Sequence, residues 1–69
     1  MTEKQYRVFY DSKNVAVAVF QRIWEKYPDK ALLTTADQLK WIDVTGEDVL
    51  NFVKELDRFG SITTIREIA

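Results

Sequence analysis

The chain has 69 residues, 46% of them hydrophobic and 30% charged, with ten basic and eleven acidic side chains and a formal charge of −1. That is the make-up of one small folded domain spanning residues 1–69, with too little polar low-complexity sequence for a disordered tract. The absence of Cys and His excludes a disulfide framework, thiolate or imidazole metal ligation and any histidine-dependent catalytic triad. The near-neutral charge argues against a strong electrostatic footprint for nucleic acid or an anionic membrane. With no apolar run of membrane-spanning length and no signal-like segment, the sequence predicts a soluble, cytoplasmic chain.

Gln5 to Tyr10, "QYRVFY", is rich in aromatic and β-branched residues and reads as a strand ending at the turn-favouring Asp11 and Ser12. Alternation places Tyr6, Val8 and Tyr10 on one face and Arg7 and Phe9 on the other. The following "NVAVAVFQRIW" alternates like a strand, but residues 13–27 on a helical wheel gather Ala16, Val19, Phe20, Ile23, Trp24 and Tyr27 on one side. The helical reading accounts for the whole segment up to Pro28, whereas a strand would account for half of it. Asp11 or Ser12 is the expected N-cap, and Pro28 the stop signal.

"ALLTT" and "LKWIDV", separated by "ADQ", read as a hairpin turning near Asp37. In the second of these strands, Lys40, Ile42 and Val44 alternate with Leu39, Trp41 and Asp43. "VTGEDVLNFVKELDRFG" reads as a second amphipathic helix, with Thr45 as N-cap, Glu47 and Asp48 at its positive end, and Gly60 as the left-handed C′ residue. Its apolar stripe is Val49, Phe52, Val53, Leu56 and Phe59. Ser61 to Ile68 forms the last strand, where isoleucines every third residue call for a β-bulge near Thr63 and Thr64 to bring Ile62 and Ile65 to one face.

The order strand, helix, strand, strand, helix, strand predicts an α+β fold of the ferredoxin-like, split βαβ (βαββαβ) kind. Four antiparallel strands in the spatial order 4-1-3-2 would carry both helices on one face. The other face would then expose Arg7 and Phe9 beside Leu39 and Trp41, a candidate interaction surface, because an uncovered aromatic patch on a small domain marks a contact site.

The same topology is found in the RNA-recognition motif, but "QLKWIDVT" lacks the glycine-separated aromatic pattern and leading basic cluster of that family. No nucleic-acid binding is therefore expected. Acylphosphatases are also similar in topology, and "YDSKNVAVAVF" lacks their arginine-containing phosphate cradle. No acid–base dyad, cofactor motif or metal-ligand cluster is recognisable by spacing. The sequence thus predicts a non-enzymatic interaction module without catalytic residues, cofactor or metal, contacting a protein partner or a second copy of itself. Two alternatives remain: a designed, stable scaffold without evolved function, to which the mutually consistent turns and stripes point, and a regulatory domain binding a small ligand around Asp11, Ser12 and Asn14.

Overall fold

A computed structural model describes residues 3–34, 40–58 and 60–68. The elements follow the predicted order: β1 (Gln5–Tyr10), α1 (Lys13–Lys26), β2 (Ala31–Leu33), β3 (Trp41–Thr45), α2 (Glu47–Leu56) and β4 (Ile62–Glu67). The strands form one antiparallel sheet in the order β2-β3-β1-β4, which is the ferredoxin-like arrangement. Because β1 pairs antiparallel with β3, and β3 with β2, β1 and β2 run parallel with β3 between them. The same logic makes β3 parallel to β4 with β1 between. Each helix is therefore the crossover of a strand–helix–strand unit that skips one strand, as predicted.

The opening of α1 is helical despite its valines. Val15 and Val19 pack against the core together with Phe20, while Ala16 and Ile23 are fully buried, so burial offsets the modest cost of β-branching in a helix. Ser12 occupies the N-cap with extended dihedrals, but its hydroxyl makes no capping bond. The helix stops at Lys26, and Tyr27 leaves the α region with φ −133°, as the residue before Pro28 must. Trp24, expected on the buried stripe, is 57% exposed. Ile23 is fully buried on that stripe, and the neighbouring position is rotated by about 100°, away from the core.

α2 buries Val49, Leu50 and Val53, and Phe52 meets Tyr27 edge to face at a centroid distance of 5.7 Å. Its start corrects the sequence reading. Thr45 pairs with Gln5 as the last residue of β3, and the N-cap is Gly46, at φ 93°, with no side-chain capping bond. The sheet retains Thr45, so the backbone must reverse within one residue, a conformation that glycine adopts without a Cβ penalty. Gly60 is likewise not the C′ residue, since α2 ends at Leu56 with Asp57 as C-cap. The Asp57 carboxylate instead accepts from the N–H groups of Ser61 at 2.7 Å and Ile62 at 3.3 Å, fastening the start of β4. The predicted turn at Asp37, the stripe position Phe59 and Leu39 lie outside the described residues.

The core is a single layer between the helices and one sheet face: Val8, Tyr10, Ile42 and Val44 from the strands against Ala16, Ile23, Val49, Leu50 and Val53. Among the described residues no polar or charged residue is buried. No helix in the described residues is long and apolar enough to cross a membrane.

Candidate functional site

The inward set of Val8, Tyr10, Ile42 and Val44 fixes the opposite set by alternation. Two adjacent cross-strand rows carry the chemistry of the open face. One runs Leu32, Asp43, Arg7, Arg66, and the other Trp41, Phe9, Thr64, both read from the pairing register. Phe9 and Trp41 are directly opposed on the central strands, with ring centroids 5.4 Å apart and planes tilted by 60°. Arg7 bonds Asp43 through two nitrogens, Nε to Oδ1 at 2.9 Å and Nη2 to Oδ2 at 3.1 Å. That hydrogen bond raises the Arg7 pKa above its already high ordinary value, so the guanidinium is a permanent charge. It also lies over the Trp41 ring, 4.8 Å from the centroid, and the Arg66 guanidinium lies 5.9 Å from the Phe9 centroid.

Of the predicted surface residues, Arg7, Phe9 and Trp41 are together on the uncovered face, each half-buried by the others. The Trp41 indole nitrogen is buried and has no hydrogen-bond partner among the described residues. The ring is therefore tucked edge-in, with Arg7 over its face. Sequence reasoning missed three contributors. Leu32, at the middle of β2, is 66% exposed, and Ile68, next in alternation after Arg66, is 40% exposed. A strand reading of "ALL" with Leu33 inward would have placed Leu32 outward. Arg66 required the register of β4 beyond its bulge, for which the sequence carries only the broken isoleucine period.

Asp11 and Ser12 connect β1 to α1, Asn14 lies in the first turn of α1, and the backbone of Asp11 is engaged on both sides. The Asp11 N–H donates to the Ser61 carbonyl at 3.0 Å, and its carbonyl accepts from Lys40 Nζ at 3.1 Å. Among the described residues no three carboxylates converge to hold a metal ion. Comparison with protein-family models, with curated proteins and with solved structures finds no match to this chain, so its chemistry is read from this face alone.

Proposed function

We propose that the chain is a non-enzymatic protein-contact module that binds through the open face of its sheet. The observation that carries this reading is the Phe9–Trp41 pair on the two central strands, sharing the open face with exposed Leu32 and Ile68. A large aromatic pair with separate apolar side chains on the same face is the composition that contact hot spots favour. Arg7 supports the same view, because its charge is already matched by Asp43; a partner could cover the pair without meeting an uncompensated ion.

Base stacking is the competing use of such a sheet. Here Arg7 lies over the Trp41 ring and Arg66 stands near the Phe9 ring, so one face of Trp41 is already covered and a base would have to displace a guanidinium to stack on it. The formal charge of −1 supplies no long-range attraction to a phosphate backbone.

The size of the face limits the interface it can form. Strands of six, three, five and six residues, spaced about 4.8 Å apart and rising about 3.4 Å per residue, present roughly 330 Å² of flat sheet, less than half of the ~800 Å² per partner of a standard stable interface. Association is accordingly weak and transient. A second copy of this chain is the first partner to try: sedimentation and ¹⁵N–¹H dilution spectra between ~10 μM and ~1 mM should show concentration-dependent shifts at Arg7, Phe9, Trp41 and Thr64. The paired variant Leu32→Asp with Ile68→Asp, at exposed positions, should suppress them. If neither a second copy nor partners captured by crosslinking contact these residues, the reading fails.

A further inference from the structure

The pairing of β1 with β4 changes register between Phe9 and Tyr10: Phe9 faces Thr64, while Tyr10 faces Ile62. Thr63 is therefore the extra residue of a β-bulge. Bulges bend the strand and re-aim side chains, and beside this one lies a shallow, open recess of about 290 Å³ lined by Phe9, Thr63, Thr64 and Arg66. Its chemistry is specific for so small a space. Phe9 forms an apolar wall, two hydroxyls can donate, and one guanidinium offers a fork of N–H groups.

Charge along the adjoining row points to what is missing. Arg66 is directly opposite Arg7 across the strands, and like charges in that position repel. Asp43 neutralises Arg7 through both nitrogens. Arg66 has no carboxylate partner among the described residues. A carboxylate arriving on the outer side of Arg66 would leave each guanidinium of the row with its own carboxylate, Arg7 with Asp43 and Arg66 with the incoming group. β4 is also the outer strand of the sheet, so its free edge can pair with an extended chain.

We propose that this recess is a carboxylate-binding subsite that takes the C-terminal residue of a partner polypeptide, its apolar side chain against Phe9 and its α-carboxylate on Arg66 and the Thr63 and Thr64 hydroxyls. A chain end joins an apolar body and a carboxylate in one residue, which is the combination the recess offers; an Asp or Glu side chain brings the charge without the body. The inference rests on the protein-contact reading of the open face and names the chemistry of one part of it.

The test uses N-acetyl-leucine as the probe, with N-acetyl-leucinamide, acetate and inorganic phosphate as comparisons, titrated into the ¹⁵N-labelled chain. N-acetyl-leucine at millimolar concentration should shift the amides of Thr63, Thr64 and Arg66, with the amide and acetate at least fivefold weaker. Arg66→Gln, at an exposed position, should reduce the response by a similar factor while leaving the rest of the spectrum in place, and Arg66→Lys should restore part of it. Equal binding of acid and amide, phosphate or acetate as the stronger ligand at these amides, or an unchanged response in Arg66→Gln would each overturn the proposal. Failure here with association still sensitive to Leu32 and Ile68 removes the subsite alone. Loss of association with the probe still bound removes the wider contact reading alone.

Discussion

Replacing Tyr10 by Phe is expected to stabilise the protein. Tyr10 ends β1 with its side chain in the core at 3% exposure, and its hydroxyl is buried with no hydrogen-bond partner among the described residues. Leaving a buried polar group without a partner costs about 1–3 kcal/mol, while the ring and its packing are common to both residues, so Tyr10→Phe should add about 1 kcal/mol at pH 7. For a domain of this length that corresponds to a rise in Tm of roughly 4–8 °C. The pH dependence gives an independent check. Burial, and secondarily the Asp57 carboxylate, raise the Tyr10 pKa above its ordinary value of 10.0. A raised folded-state pKa contributes stability that is fully present below pH ~10 and is lost as pH climbs toward the folded value. In that window the unfolded chain has released a proton that the folded one keeps, and stability falls by at most ~1.4 kcal/mol per pH unit. Urea denaturation followed by far-ultraviolet circular dichroism at pH 7, 10 and 11 would read both effects, with Tyr6 and Tyr27 common to parent and variant. A variant less stable than the parent at pH 7 would show that the hydroxyl holds a real bond, and a parallel decline above pH 10 that Tyr10 is not the group whose ionisation is costly; either would refute the reasoning.

The remaining predictions bear on the sheet face, the helices and the turn. Phe9 and Trp41 should couple by about 0.5–1.5 kcal/mol in a double-mutant cycle to Ala, as tilted rings in contact do; additive single effects would deny the pairing. Ile23→Ala should cost about 2–5 kcal/mol and the adjacent Trp24→Ala no more than ~0.5, because Ile23 is fully buried and Trp24 is mostly in solvent; similar costs at the two would displace the α1 stripe. Gly46→Ala should cost about 1–3 kcal/mol by chemical denaturation. The new methyl would meet only the Glu3 carboxylate, at ordinary contact distance, so the positive φ of 93° is the source, and a neutral result would mean that the turn has another conformation available.

The sequence was informative wherever a single period extended over an element. β1 alternates cleanly, and α1 holds its stripe from Ala16 to Tyr27 except at Trp24, so strand order and inward faces could be read before any coordinates. It was misleading where two elements competed for one residue. Thr45 is a good cap and a good strand residue, and its pairing with Gln5 decides for the strand, a partner 40 positions away that no local pattern discloses. Gly60 has the left-handed φ of 66° that its type suggests, yet it lies in the loop that Asp57 organises rather than at the helix end. On the candidate face, Arg7, Phe9 and Trp41 followed from alternation. Arg66 and Leu32 did not, because their orientation depends on a bulge and on a three-residue edge strand, too short for a period to show.

The bulge itself explains why β4 has an irregular isoleucine spacing. In a regular strand Ile62 would share its face with Thr64 and Arg66 and point to solvent. The extra residue turns Ile62 onto the core opposite Tyr10, while Ile65, opposite Val8, stays on the same inner face. Deleting Thr63 should therefore restore simple alternation without moving either isoleucine out of the core, since the one residue removed is the one without a partner. The anchoring bonds from Ser61 and Ile62 to Asp57 fall before the deletion and the pairs from Thr64 onward after it. Stability should change by less than ~1 kcal/mol, well below the 2–5 kcal/mol that losing a buried isoleucine would entail. A larger loss in urea denaturation, or loss of the Ile62 and Ile65 contacts to the core by nuclear Overhauser effects, would mean that Thr63 holds the strand in register.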